Sequence, residues 1–431
     1  MHILSQVLFA GVLGVAVFYF TRNIQRIRRN IFLGRDWEVQ GTADMRWKNM
    51  FRVALGQSKM VRKPIAGILH IIVYAGFILI NIEVLEIMID GLFGTHRVLS
   101  FFGPLYNLAI GFFEILAFLV LAACAIFLVR RYILKIGRFN HIDLKGFANR
   151  DAAIILTTEI VLMSALLIMN AADQRLQALG SEHYHQAGSF PVSQYLVSLY
   201  GDASENALMI AERGMWWAHL IGILMFLNYL PFSKHFHIIL AFPNTFYARF
   251  KPKGEFTNPE NVTKEVKLAF FPDLPVDESK ELPKTFGVKD VQDLTWKNLM
   301  DAYTCTECGR CTSQCPANIT GKLLSPRKIM MSTRDRLEEV GRNIDQKITD
   351  EKSLHDNISA EELWACTSCN ACVEACPVEI NPLEIIVEMR RYLVMEQSAA
   401  PQELNLMTTN IENNGAPWQY AQSERMGWTQ D

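Results

Sequence analysis

Cys305-Thr306-Glu307-Cys308-Gly309-Arg310-Cys311-Thr312-Ser313-Gln314-Cys315-Pro316 and Cys366-Thr367-Ser368-Cys369-Asn370-Ala371-Cys372-Val373-Glu374-Ala375-Cys376-Pro377 follow one pattern, C-x2-C-x2-C-x3-C-P. Three thiols spaced this closely can wrap one face of a cubane iron–sulfur cluster. The fourth points away on a departing segment, and in two-cluster proteins it serves the other cluster. The spacing therefore predicts one [4Fe-4S] cluster on Cys305, Cys308, Cys311 and Cys376. It predicts a second on Cys366, Cys369, Cys372 and Cys315. Pro316 and Pro377 remove an amide and set the turn after each fourth ligand. Gly309 allows close backbone approach to a cluster, and Asn370 holds the equivalent place. Zinc sites usually carry two separated cysteine pairs, or cysteine with histidine, and no C-x-x-C-H for a c-type haem occurs. Eight of the nine cysteines belong to the two motifs. Disulfides are the plain alternative for such an even set, but the spacing is that of cluster ligands. Cluster thiolates need a reducing compartment, which places this part in the cytoplasm. Cys124, alone in an apolar run, reads as small apolar filler.

Outward from the cysteines the chain becomes apolar. Half of its 431 residues are hydrophobic and 20% are charged, which suggests a mixed membrane and soluble architecture. The formal net charge of -2 gives no argument for nucleic acid. About 20 apolar residues cross a bilayer core, and five segments qualify: Ile3 to Phe20, Pro64 to Ile89, Leu105 to Val129, Ala152 to Asn170 and Gly214 to Phe232. The last is expected to continue helically to about Leu240. The first lacks a basic region before it and a cleavage site after it, so it reads as an anchor rather than a signal peptide. Eleven basic residues fall in 21–63 and six in 130–150, against Arg97 alone in 90–104 and Arg175 and Arg213 alone in 171–213. By the positive-inside rule the N-terminus lies outside and everything after the fifth helix lies inside. The cysteines thus reach the cytoplasm by a second argument.

Histidine inside a membrane span is costly and usually functional. His70 lies near the inner end of the second segment, and His219 near the outer end of the fifth. His235 and His237 follow at the inner end. On one continuous helix, His219 and His237 would be five whole turns apart, roughly 27 Å, on one face. An inner b-type haem then has His70 and His237 as iron ligands, with His235 the alternative to His237. A second, outer haem would use His219, with His183 and His185 reaching in from the outer loop. Hydrogen bonding within the bundle, or a quinone pocket, accounts for His219 equally. His2, His96, His141 and His355 read as surface residues. Glu83, Glu86, Glu114 and Glu159 are candidates for quinone proton exchange, or caps for nearby polar groups.

The stretch from Arg62-Lys63-Pro64 through Gly67-Ile68-Leu69-His70 to Gly76-Phe77 resembles the second helix of membrane cytochrome b subunits of the nitrate reductase gamma type. Trp216-Trp217-Ala218-His219, running to Leu230-Pro231-Phe232-Ser233-Lys234-His235-Phe236-His237, resembles their fifth. Fusion to a two-cluster domain resembles the heterodisulfide-reductase-like membrane oxidoreductases, whose relatives link electron-transferring flavoprotein to menaquinone. The gamma subunits carry two histidines on helix two, where this chain has only His70. Such proteins often continue into cysteine-rich CCG domains, but no cysteine follows Cys376. Asn413-Asn414-Gly415-Ala416-Pro417-Trp418, with Arg425 and Trp428, resembles the segment preceding those domains. The resemblance thus implies a separate CCG-type iron–sulfur subunit that this tail contacts.

The expected fold class is mainly α: a five-helix transmembrane cytochrome b bundle plus a cytoplasmic α-helical two-[4Fe-4S] ferredoxin domain. The expected units are 1–240 for the bundle, 241–300 for an irregular proline-rich strap, 301–396 for the two-cluster domain, with helices in 323–352, and 397–431 for an extended docking tail. The expected role is a respiratory electron-transfer subunit in the inner membrane. It would pass electrons between a soluble cytoplasmic donor such as a flavoprotein, or the CCG subunit, and membrane quinone through two [4Fe-4S] clusters and haem b. No nucleotide or flavin motif is present, so dehydrogenase chemistry would belong to partners. A membrane-anchored redox sensor or scaffold is the alternative.

Overall fold

The computed structural model describes residues 2–273, 275 and 285–430. Pro283 of the strap and the side chain of His2 lie outside this description. Five helices among the described residues are long and apolar enough to cross a membrane: α1 (His2–Ile31), α2 (Pro64–Phe93), α3 (Pro104–Leu128), α4 (Phe147–Leu179) and α5 (Glu205–Tyr229). The shortest have 25 residues, roughly 37 Å at 1.5 Å per residue, enough for a hydrocarbon core of about 30 Å. Pro64 and Pro104 occupy first-turn positions, where the missing N–H removes no helical bond. Ser204 caps α5 by accepting the Ala207 N–H at 3.4 Å. Outward-facing Leu4, Leu108 and Met225 are exposed, as expected of lipid-facing residues. Where α2 meets α3, a Cβ at Gly76 would fall 2.3 Å from Val120 Cγ2; the glycine permits this close crossing.

Buried polar knots tie the helices together. At the end reached by the C-terminus of α2, Arg97 donates to Asp173 at 2.7 Å, Asn170 at 3.0 Å and the Tyr106 hydroxyl at 3.2 Å. Glu114 accepts from Val192 N–H, Ser193 N–H and Asn170. At the opposite end Asp151 of α4 accepts from the Tyr229 hydroxyl at 2.5 Å, the Ser233 hydroxyl at 2.7 Å and the Lys234 N–H at 3.1 Å. This last knot breaks the fifth helix. Leu230–Phe232 form a tight 3-10 turn, Ser233 is extended, and a new helix, α6 (His237–Phe246), starts afterwards. The expected continuous helix to Leu240 is therefore absent, and His219 and His237 do not share one helical face.

The cysteine domain sits directly on this proximal end of the bundle. Its main helices are α7 (Trp296–Thr304), α8 (Pro326–Gln346) and α9 (Pro382–Met395), followed by α10 (Gln402–Asn414). Among the described residues there is no strand, only an isolated bridge between Arg35 and Thr295. The strap carries α6 and a helix over Glu260–Phe270 rather than being irregular, and the tail begins with α10 rather than as an extended arm. Contacts at the proximal end dock the chain's own domain: Arg29 of α1 donates to Gly341 O at 2.9 Å, Lys59 pairs with Glu379 at 3.1 Å, and Arg327 of α8 donates to the Arg138 carbonyl at 2.8 Å. Beneath them Lys297 and Asp301 pair fully buried at 2.5 Å, with Arg249 on Asp301 at 2.9 Å. Burial works against ionisation of Asp301, yet Lys297 and Arg249 hold its carboxyl below the usual range.

Removing the Asp151 carboxylate leaves three donors at the helix break without their acceptor. Asp151→Ala should cost about 3 kcal/mol, read as a lower thermal unfolding midpoint in detergent, and Asp151→Asn should recover part of it.

Candidate functional site

Helix α7 opens on Thr295 and Asn298, whose side chains cap each other's backbone, and it delivers Cys305 at its end in extended conformation. Two residues later Glu307 takes φ +54°, and Gly309 takes φ +69°. The second motif repeats this: Ser368 has φ +57° and Asn370 φ +59°. Left-handed residues at these positions curl the backbone so that amides can turn inward as a nest for negative charge. Asparagine tolerates this conformation. Gly309 has a further reason to lack a side chain, since a Cβ there would stand 2.5 Å from the Arg327 guanidinium and 3.2 Å from Arg138 O. Ser368 N–H lies 3.4 Å from Cys366 Sγ, and Ile380 N–H 3.3 Å from Cys376 Sγ. Such donors favour thiolate.

Cys305, Cys308 and Cys311 line one cavity together with Cys376, and Cys372 reaches its wall. Cys315 stands instead beside Cys366 and Cys372. The fourth cysteine of each motif thus lies with the other motif's three. Cys311 and Cys372 adjoin where the two groups meet. Burial pushes the Cys305, Cys372 and Cys376 thiols up to about 12; thiolate at these places needs a bound cationic centre. Among the described residues no three His, Cys, Asp or Glu groups converge tightly enough to hold a single metal ion. Thiols ringing a gap fit a multi-iron cluster better than one zinc ion. Cys369 is exposed, unlike Cys305, Cys315 and Cys372, so the second motif faces solvent.

The structure gathers three of the candidate histidines. The His70 and His237 ring centroids are 6.4 Å apart, and His235 and His237 5.6 Å. Imidazoles gathered this closely could together hold a metal centre. His237 Nδ1 lies 3.0 Å from Lys234 O, which assigns the proton to Nδ1 and leaves Nε2 free to ligate. His70 Nδ1 and His235 Nε2 are buried without a hydrogen-bond partner. Burial holds the His235 imidazole down at about 3, with His237 and His70 adding to the effect, and lowers His237 too. Both are neutral, the form that binds metal. His219 stands apart in α5, 1% exposed. Its Nδ1 lies 2.9 Å from Leu162 O, and its Nε2 is buried without a partner. His185 lies 3.0 Å from Ser100 Oγ and against the ring of His96, its place in the distal loop.

The remaining acids and histidines divide. Glu86 and Glu114 are capping groups: Glu86 accepts from Leu99 N–H at 2.8 Å and from Tyr106 at 2.9 Å. Glu159 lies near Cys124, and Glu83 keeps one buried oxygen without a partner. His96, His141 and His355 are not plain surface groups. They pair with Asp173 at 3.2 Å, Asp143 at 2.8 Å and Val288 O at 3.1 Å. Glu307 also belongs to the site. This residue, 4% exposed, joins the first cysteine loop to Lys234 at 2.6 Å and to Arg334 at 2.7 Å. An acidic residue between two motif cysteines carries no spacing signal.

Residues 297–377 match the 4Fe-4S dicluster domain. That match contains all eight motif cysteines. The chain is similar to a probable iron–sulfur-binding oxidoreductase, FadF, of Bacillus subtilis, 29% identical over 99% of this chain and 61% of the relative. It is also similar to the EtfAB:quinone oxidoreductase of Syntrophomonas wolfei, 28% identical over 88% of this chain and 53% of the relative. A probable membrane-anchored ferredoxin of Chromohalobacter salexigens is 31% identical over 34% of this chain and 24% of the relative. The chain spans 61% and 53% of the length of the first two relatives. No solved structure matches it. These relatives are iron–sulfur oxidoreductases and ferredoxins.

The two left-handed positions should respond differently to substitution. Gly309→Ala should lower iron per chain, because its Cβ meets Arg327 and the backbone of Arg138. Asn370→Gly should leave iron content close to wild type, since the backbone conformation is kept. Iron and sulfide analysis of the purified chain checks both.

Proposed function

We propose that this chain is the membrane-bound electron-transfer subunit of a quinone-linked oxidoreductase, exchanging electrons between a soluble cytoplasmic redox partner and membrane quinone. The carrying observation is the joint between its two parts. Lys234, one residue before His235, pairs at 2.6 Å with Glu307 inside the first cysteine loop. Arg310 of the same loop donates to Lys59 O at 3.2 Å and Met60 O at 3.3 Å, in the turn before the helix that carries His70. The cysteine loop is thereby seated at the end of the bundle where the three histidines gather, which suits conduction better than a tethered sensor or scaffold.

In this reading Cys305, Cys308, Cys311 and Cys376 hold one [4Fe-4S] cluster, and Cys366, Cys369, Cys372 and Cys315 the other. His70 and His237 would hold the iron of a haem b at the inner level, with His235 as the alternative ligand, and His219 would serve a second haem. Clusters and haem supply one-electron redox capacity when bound. The protein's own contribution is placement: buried neutral imidazoles, inward amides at the nests, and a rigid joint between the two ends. The N-terminus lies outside and the cysteine domain in the cytoplasm, following the loop charges. The units 1–240, 241–300, 301–396 and 397–431 keep their separate parts in this reading. A relative named for EtfAB and quinone supports a flavoprotein as soluble donor and quinone as membrane partner. The exposed Trp418, Tyr420 and Trp428 suit a tail that docks a separate CCG-type iron–sulfur subunit.

An optical spectrum of the purified chain tests the reading. The reduced wild type should show a b-type α band that His70→Ala lacks, and a wild type without haem sinks this part. Electron paramagnetic resonance tests the crossed ligation. Cys376→Ser should alter the cluster of the first motif, and Cys315→Ser that of the second.

A further inference from the structure

The two cysteine groups stand in unlike electrostatic fields. In the first motif Glu307 is the carboxylate, and Lys234 and Arg334 pair with it at 2.6 Å and 2.7 Å. Arg327 of α8 lines the same cysteine cavity, and its Nε donates to Asp143 at 3.1 Å. Three further cations have no carboxylate partner among the described residues. Arg310, 6% exposed, stands in the cavity wall and donates only to the Lys59 and Met60 carbonyls and the Met60 sulfur. Arg138, in the loop between α3 and α4, lies over the Phe139 ring at 4.7 Å, and its Nε and Nη1 are buried without a hydrogen-bond partner. Its carbonyl would come within 3.2 Å of a Cβ on Gly309, next to Cys308. Lys63, exposed just before α2, completes the group. Burial lowers both Arg138 and Lys63, and Cys308 acts on both in the opposite sense.

Beside the second group one cation is placed this way. Arg390 of α9 donates to Leu363 O at 2.9 Å and to Cys366 O at 2.6 Å, with its guanidinium 4.9 Å over the Trp364 ring. Glu374, inside the second motif, is paired with Arg62 at 2.7 Å and with Lys253. Two effects then compete. Water at the exposed Cys369 favours the more negative, reduced form of a cluster there, while burial of Cys305 disfavours it at the first motif. Cationic charge acts the other way. A unit charge acts roughly four times as strongly in protein surroundings as in bulk water. Arg310 and Arg138 are shielded enough to act at that strength, and Lys63 adds to them, against Arg390 alone. The cations outweigh the wet edge.

We propose that Arg310, Arg138 and Lys63 form a cationic shell that makes the first cluster the more readily reduced of the two, so that an electron delivered at the exposed second motif settles on the first. This rests on the cluster ligation and the soluble electron donor of the reading above, and it gives that reading a direction, from the cytoplasmic face toward the bundle. One electron leaves the second cluster, which returns to its oxidised form, and the first cluster is reduced; no bond breaks and no proton moves. Cys311 and Cys372 adjoin where the two groups meet, so the step is short. Arg138 and Lys63 belong to the loops of the membrane bundle, not to the cysteine domain. The first cluster therefore owes part of its potential to the seat of that domain on the bundle.

Potentiometric titration of the full chain with its clusters, followed by electron paramagnetic resonance, reads the order. Cys308→Ser changes the signal of the first cluster and Cys369→Ser that of the second, which assigns the signals independently of the crossed ligands. In wild type the first cluster should be reduced before the second. At the potential that half-reduces the wild-type first cluster, Arg138→Gln should lower its reduced-to-oxidised ratio at least about threefold. Arg138→Lys, which keeps the charge, should hold that ratio near wild type, and neither variant should move the second cluster. Arg390→Gln should lower the second cluster alone. A second cluster that is reduced first or in step with the first in wild type overturns the inference without any variant. A first cluster with the same ratio in Arg138→Gln as in wild type overturns it as well. A chain that keeps the expected order but exchanges no electrons with quinone overturns only the quinone-linked reading.

Discussion

The ion triad of Lys234, Glu307 and Arg334 is the constraint on which the arrangement of the two halves depends. Glu307 sits in a left-handed turn between two motif cysteines and is buried. Burial alone would push its carboxyl up, but Arg334 and Lys234 hold it below the usual range. Lys234 also donates to Ala148 O at 2.6 Å, so one ammonium ties the cysteine loop to the first turn of α4. Buried ion pairs seldom stabilise a fold greatly, because desolvation offsets attraction. Their value here is geometric. Losing either partner leaves an unpaired charge at the joint, so the loop has one allowed seat on the bundle.

That seat depends in turn on the break in the fifth helix. Had the helix run on to Leu240, Lys234 and the two histidines after it would have followed the helical screw. Asp151 prevents this by capturing Ser233 and Lys234, and Pro231 removes an N–H where the turn tightens. His235 and His237 can then both approach α2, with His235 packed against Phe77 at 6.4 Å and Phe226 at 5.4 Å. One carboxylate on α4 thus shapes the cluster joint and the histidine group together.

Features coded by local pattern were legible in the sequence, and features coded by distant partners were not. The five spans stood out because a long apolar run has few other uses. The cysteine motifs stood out because close spacing is itself the ligand geometry. The helix break stayed hidden because apolar residues resume at Ile238–Leu240 after the short polar stretch at 233–237, and its cause lies 82 residues away at Asp151. His96 and Arg97 looked like loop residues because hydropathy cannot show that Asp173 waits for them inside the bundle. The strap looked irregular from its prolines, yet Pro243 lies within α6. Left-handed Glu307 and Ser368 could not be anticipated, since neither residue type favours that conformation.

The two ends of the bundle are built for different particles. The proximal end gathers neutral imidazoles with nitrogens that have no partner, next to cysteine nests, an environment for metal centres that carry electrons. The remote end gathers carboxylates in excess of cations: Glu83, Glu86, Asp90, Asp173 and Glu212 against Arg97 and Arg213. Helix α2 connects the two, 30 residues or roughly 45 Å long. The groups suited to redox centres thus stand at one end of the bundle and the excess of carboxylates at the other.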